Sequence, residues 1–297
     1  MRYRWAIWML FVIGALLLLD LLDLRTWALA VTAAAAILAL ASSPAQPHRG
    51  HAFDARDLRA VAILYVAIVG LFRLAFEVFT TDSLIGLFLA FATGLVLGVV
   101  GPIVYQVWGR GRTLESLGIG GHHLRETIAL GVVLAGVQFS VTMWGYDLPS
   151  PEDWVPLLLM SLTVGIFEAV FFRGFAQNCL EASFGTAPGI AAAAALYALY
   201  HIGYGMGIDQ MVFLFGLGVV YAIAFALTRN VLVLWPLLTP LGAFFNNLEA
   251  GDIELPWASV AGFTDVAAVM GFAIWVGYRK SSGGRVFRAR LRDRIAR

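Results

Sequence analysis

"GIFEAVFFRGFAQNCLEASFG", residues 165–185, sets Glu168 and Arg173 five positions apart in a stretch that is otherwise largely apolar and reads as helix. Side chains on an α-helix meet at spacings of three or four. A spacing of five places these two about 140° apart around the axis, so no ion pair between them is expected. A charge in so apolar a segment needs a partner, a polar cavity or a task.

The composition says what surrounds the segment. The chain has 297 residues, of which 60% are hydrophobic and only 13% charged, with a mean hydropathy of +0.82. A soluble domain carries about 25% charged residues. Apolar runs of about twenty residues recur from end to end, the length that crosses a bilayer. The fold class is therefore an all-α, polytopic integral membrane bundle of about ten transmembrane helices. They fall roughly at 5–22, 26–42, 58–79, 83–108, 125–146, 153–183, 187–206, 209–228, 230–248 and 256–278. The first run lacks a small-residue cleavage site and reads as a retained helix rather than a signal peptide. The single cysteine, Cys179, has no disulfide partner and fills space. The absence of an internal repeat or a pair of broken helices argues against a transporter. A net charge of +1 calls for no nucleic-acid partner; the lipid bilayer is the implied environment.

With the N-terminus in the cytoplasm, the cytoplasmic segments hold all but three of the 20 Lys+Arg residues, the exceptions being Arg25, Arg73 and Arg173. The opposite side collects Asp20, Asp23, Asp82, Asp147, Glu152, Asp153, Asp209, Glu249, Asp252 and Glu254. This is the asymmetry of the positive-inside rule. It puts both termini inside, with the tail after Arg279 read as a mobile, basic topology anchor.

Few ionisable residues remain deep in the spans: Arg73, Glu77, Glu168, Arg173, His201 and Asp265, joined by the uncharged Asn246 and Asn247. Arg73 and Glu77 are four apart and read as a local pair, and Asp265 reads as reaching water. Glu168, His201 and Asn246 lie at a common depth of roughly 21–24 Å from the cytoplasmic face on three successive motif helices. A carboxylate and an imidazole suffice for acid–base chemistry on a water, and an asparagine amide can donate to an oxyanion. The alternative is interhelical hydrogen-bond glue. Glu168 and His201 are expected within direct or single-water reach of each other. Zinc needs three or four ligands, and the other histidines, His48, His51, His122 and His123, sit on loops. No metal and no cofactor is implied.

The order of these motifs resembles the CAAX-protease and bacteriocin-processing (CPBP, or Abi) family of intramembrane glutamic endopeptidases. The family's first motif, E-E-x-x-x-R followed by Gly, corresponds to "EAVFFRG" at Glu168–Gly174; its second, F-x-x-x-H, to "YALYH" at Tyr197–His201. Its third, H-x-x-x-N or H-x-x-x-D, corresponds to "WPLLTPLGAFFNN" at Trp235–Asn247. The chain departs from the pattern at two places: Ala169 stands for the second glutamate, and Gly242 for the third-motif histidine.

The resemblance implies Glu168, His201 and Asn246 as catalytic residues, with Arg173, Tyr197 and Asn247 in supporting places. It implies motif-free helices over 1–124, a CPBP-like core over 125–250, and a last helix with tail over 251–297. The activity implied is metal-independent hydrolysis of a membrane-anchored or membrane-associated peptide substrate. Ala169 and Gly242 leave open a catalytically impaired relative that binds peptides or confers immunity. With Ala169 in place of an acid, Arg173 is expected to find an acid on another helix, backbone carbonyls or interfacial water. The acidic loops near Glu168 place the site toward the extracytoplasmic face. In a Cys179→Ser background, a cysteine at Gly205 or Gly251 is expected to react with a membrane-impermeant thiol reagent added to intact cells, and one at Gly283 is not. The reverse pattern inverts the orientation.

Overall fold

The computed structural model describes residues 54–80, 83–121, 124–143, 148, 150–250, 255 and 257–295, the side chains of residues 141, 151, 153, 209, 246, 249, 250, 258 and 282–295 excepted. The first two stretches read as spans, and all four loop histidines, lie outside these residues. Among the described residues the chain is helical throughout, without a strand. The helices are α1 (Ala55–Val78), α2 (Leu84–Gly109), α3 (Leu124–Thr142), α4 (residues 151–184), α5 (Thr186–Leu199), α6 (Ile208–Thr228), α7 (Leu238–Ala250) and α8 (Ala258–Ile295). Five of them, α1, α2, α4, α6 and α8, are long and apolar enough to cross a membrane.

Local chemistry sets the ends. Asp54 caps α1 by accepting from the N–H of Arg56 (2.9 Å) and Asp57 (3.2 Å), while Asp57 Oδ2 accepts from the N–H of Asp54 (2.8 Å). This reciprocal box satisfies donors that the first helical turn leaves free. Ser83 Oγ caps α2 by accepting from Gly86 N–H at 3.0 Å. The stretch read as a span over 230–248 becomes two pieces: a 3₁₀ turn, Val231–Val233, and α7, which starts only at Leu238. Pro236 has no N–H with which to continue a helical ladder between them. The basic tail after Arg279 continues α8, helical through Ile295.

α4 is the axis of the bundle. Its most apolar window is 72% buried, against 56% for α6, 33% for α2, 22% for α1 and 17% for α8, so α4 is the spanning candidate most enclosed by the rest of the protein. Phe167, Phe171, Phe172 and Phe175 fill the space around it, all at 2% exposure or less. α7 is fastened to α4 by Trp235 Nε1–H donating to Leu162 O (3.0 Å), and α8 by Thr163 Oγ1 donating to Phe263 O (3.2 Å). Two ionic clusters tie helix ends together. In one, Asp57 accepts a fork from Arg112 (3.0 and 2.8 Å) and a bond from Tyr105 (3.0 Å), joining α1 to the end of α2. In the other, Glu181 on α4 pairs with Arg229 at the end of α6 (2.5 Å) and accepts from Gln177 (2.7 Å).

Gly174, the glycine after Arg173, marks a close approach of another part of the chain to α4. A Cβ there would stand 2.3 Å from Leu117 O, in the turn Leu114–Leu117. Gly174→Ala is expected to destabilise the bundle by about 1–3 kcal/mol, the usual cost of overpacking. Gly70→Ala on α1, where nothing lies within 4 Å, is expected to be neutral or slightly stabilising. Thermal unfolding of the two variants in detergent, compared with the parent chain, is the check.

Candidate functional site

Glu168 closes the first, α-helical part of α4, and the next nine residues, Ala169–Gln177, are wound as a π-helix. Its carboxylate is 4% exposed. Two hydroxyls from α5 and its extension meet it: Tyr200 donates to Oε1 in a short hydrogen bond, and Tyr197 donates to Oε2 at 3.5 Å. Tyr197 and Tyr200 are three residues apart, the spacing that puts two side chains on one helical face. Only one face of α5 is needed to satisfy both carboxylate oxygens.

His201 follows Tyr200 in the 3₁₀ turn Tyr200–Tyr204 that ends α5. It is 7% exposed, and its Nδ1 stands 2.9 Å from Tyr197 O. A carbonyl only accepts, so Nδ1 carries the proton and Nε2 is left with the free lone pair. No hydrogen bond joins Glu168 to His201 directly. Tyr200 connects them, bonded to Glu168 and with its ring centroid 4.0 Å from that of His201. The sequence reading omits Tyr200, although its position before His201 and three after Tyr197 in "YALYH" was the available signal.

Arg73 holds this turn from outside. It pairs with Glu77 (2.5 Å) as the spacing of four predicts, and it also donates to Ile202 O at 3.0 Å. Ile202 O also accepts from Gly205 N–H at 3.1 Å, so Arg73 adds a second donor to this carbonyl beside His201.

Arg173 departs from expectation. It is 1% exposed, and its Nη1 and Nη2 have no hydrogen-bond partner among the described residues, neither an acid nor a carbonyl. The guanidinium lies 5.0 Å from the centroid of the Tyr197 ring, a cation–π arrangement. The 140° separation expected from α-helical winding also fails here. A π-helix bonds i to i+5, so Arg173 follows Glu168 by about one π turn. The two do not form an ion pair; Tyr197 takes Glu168 on its hydroxyl and Arg173 on its ring face. That is how an apolar helix accommodates both charges.

The third motif is placed only in part. Asn246 is on α7, and its side chain lies outside the described residues. Asn247 Nδ2 donates back to Ala243 O at 2.6 Å, which occupies its amide within its own helix. At Gly242 a Cβ would stand 2.8 Å from the Tyr221 hydroxyl and 3.0 Å from Gln138 Nε2. Tyr221 donates to Gln138 Oε1 at 3.1 Å, so an amide and a phenol from α3 and α6 occupy the space beside this glycine. Neither residue is singled out by sequence spacing, because the pair forms only when three helices meet. Among the described residues no three His, Cys, Asp or Glu side chains gather as a metal site needs.

A multi-pass helical membrane protein with ionisable groups enclosed beside its central helix is the class these features define. Residues 149–237 match the family model described as type II CAAX prenyl endopeptidase Rce1-like, consistent with the CPBP/CAAX protease resemblance of the motifs. The matched residues include Glu168, Arg173, Tyr197 and His201 and stop before Asn246 and Asn247. No curated protein and no solved structure matches the chain.

If Arg73 holds the His201 turn, Arg73→Met releases it. The amides of Gly205 and Met206, which bond Ile202 O and His201 O at 3.1 and 3.3 Å, are then expected to exchange about fivefold faster, the effect of losing a hydrogen bond worth about 1 kcal/mol. Hydrogen-exchange mass spectrometry in detergent reads this, with peptides from α6 as the unchanged control.

Proposed function

We propose that this chain is an intramembrane glutamic endopeptidase that cleaves a membrane-associated peptide. The observation that carries the reading is the enclosed Glu168 carboxylate, held by Tyr197 and Tyr200 with His201 at the adjoining position, inside the segment that matches the Rce1-like model. In the reaction Glu168 takes a proton from a water oriented by the free Nε2 side of His201. The water oxygen attacks the scissile carbonyl carbon, and negative charge develops on the carbonyl oxygen. Glu168 then returns the proton to the leaving nitrogen as the C–N bond breaks.

Tyr200 is the positioning group that fixes which carboxylate oxygen faces the water. Asn246 is the first donor to the oxyanion. The Gln138 amide beside Gly242 is the second, standing where the family's third-motif histidine is missing. Two protein ligands do not hold zinc, so the reading is metal-independent.

The organisation belongs to the same proposal: about ten spans, both termini in the cytoplasm, residues 125–250 as the catalytic core and 1–124 as its support. Two features support a site toward the extracytoplasmic face. His201 stands in the turn that ends α5, and α1 runs from the arginines at its start to Arg73 at that turn.

A second reading, a peptide-binding relative without activity, is favoured by Ala169, by Gly242 and by the closure of Glu168 and His201 from solvent. The two readings separate on Glu168→Gln, which keeps shape and removes the base. Membrane-peptide proteomics of cells carrying either form is expected to show at least one peptide accumulating uncut in the variant; identical peptidomes support the binding reading instead. Once a substrate is found, Tyr200→Phe is expected to lower kcat by about 10- to 100-fold. A hydrogen bond to a charged group is worth about 1.5–3 kcal/mol, and Tyr197→Phe, with its longer contact, is expected to cost less.

A further inference from the structure

At the opposite end of α1 from His201, a cavity of about 380 Å³ opens between the start of α1 and the end of α2, lined in part by Arg56, Arg59, Arg110, Tyr105 and Ile63. We infer that it is a binding site for one anionic phospholipid, with the phosphodiester held by the arginines and the acyl chains lying along the helices.

The charge balance makes the cavity positive. Asp57, the acid beneath it, is fully buried and already neutralised by the Arg112 fork. Arg110 is shared between Asp54 (2.7 Å) and Asp57 (3.3 Å) and is thereby fixed in place at the wall. Arg56 and Arg59 are exposed and make no ion pair among the described residues. Guanidinium forks match phosphate oxygens in geometry as well as charge.

The same wall turns apolar along the helices. Arg56, Arg59, Ile63 and Val66 follow one another at spacings of three and four, one stripe of α1. Ile63 and Val66 are 68% and 69% exposed, and Val104 and Trp108 on α2 are 48% and 45% exposed. A head group on the arginines therefore leaves its chains against bare Ile63, Val66 and Val104, with Trp108 near the polar boundary where indoles are enriched. A soluble phosphate gains nothing from that apolar half. A zwitterionic lipid brings its own ammonium among three guanidiniums and is disfavoured. Basic recesses between the ends of transmembrane helices suit anionic head groups for these reasons.

The test is native mass spectrometry of the full chain in detergent with added phosphatidylglycerol. One bound phosphatidylglycerol per chain is expected, with phosphatidylcholine not retained. Arg56→Gln combined with Arg59→Gln is expected to weaken retention by about tenfold or more. Arg125→Gln, an exposed arginine at the start of α3, is expected to leave it unchanged. Equal retention by the double variant, equal loss in Arg125→Gln, or equal retention of phosphatidylcholine overturns the site. Displacement of phosphatidylglycerol by millimolar glycerol 3-phosphate would show a soluble-phosphate site and overturn the lipid assignment. The two lipid arms and this competition use the unmodified chain, so they decide the matter even if the double variant folds poorly.

Discussion

A carboxylate enclosed in an apolar bundle persists only if hydrogen-bond donors are brought to it, and in this chain the requirement falls on Glu168. Much of the surrounding arrangement follows from meeting it. α5 must turn the face bearing Tyr197 and Tyr200 toward α4. With Tyr197 committed to the carboxylate through its hydroxyl, its ring face is left for Arg173. The 3₁₀ turn that follows Tyr200 then delivers His201 to the same place, and Arg73 of α1 holds that turn by the Ile202 carbonyl. One buried charge thus fixes the mutual placement of α1, α4 and α5.

The long helices were legible because hydrophobic length and Gly/Pro punctuation act locally. α1, α2, α4 and α6 begin within a few residues of where composition puts them. Glu168 and His201 were legible because an ionisable residue in a span is costly and stands out. The winding of α4 was not. "AVFFRGFAQ" reads as an ordinary apolar helix, and the π-helical path over Ala169–Gln177 has no residue signature. It accompanies the packing of Gly174 against the Leu117 carbonyl, a contact made by a distant turn. The error in the angle between Glu168 and Arg173 came from that winding alone. Glu181 was passed over for a related reason: its partner, Arg229, lies at the end of another helix, so sequence spacing cannot pair them.

The two ends of α1 handle charge in opposite ways. At its start, two arginines from the end of α2 and two aspartates form a network in which one acid, Asp57, is completely enclosed by Arg112, Arg110 and Tyr105. Such a pair contributes little net stability over an apolar replacement, but removing one partner leaves a buried charge uncompensated. It therefore fixes the register of α1 against α2 more than it stabilises either. At the other end, Arg73 and Glu77 are about half exposed and worth little as a pair. Their consequence is geometric, because Arg73 also reaches Ile202. The rigid end anchors the helix, and the solvated end adjusts the turn that bears His201.

At Gly242 the place of the missing motif residue is taken by polar groups from two other helices. Where the resemblance leads one to look for a histidine, the backbone of α7 comes close to Tyr221 and Gln138. Tyr221 is held in turn by Gln138 Oε1 and lies 3.3 Å from Leu238 O. That network fills the volume any side chain at 242 would need, since even a Cβ would stand 2.8 Å from the phenol oxygen. A histidine at 242 therefore requires the Tyr221 hydroxyl and the end of the Gln138 side chain to move aside. Gln138 Nε2 stands 3.0 Å from where that Cβ would be, while Oε1 accepts from Tyr221. On the proposed reading, this amide from α3 takes the part that the resemblance assigns to an imidazole on α7, so the donor would come from a different helix.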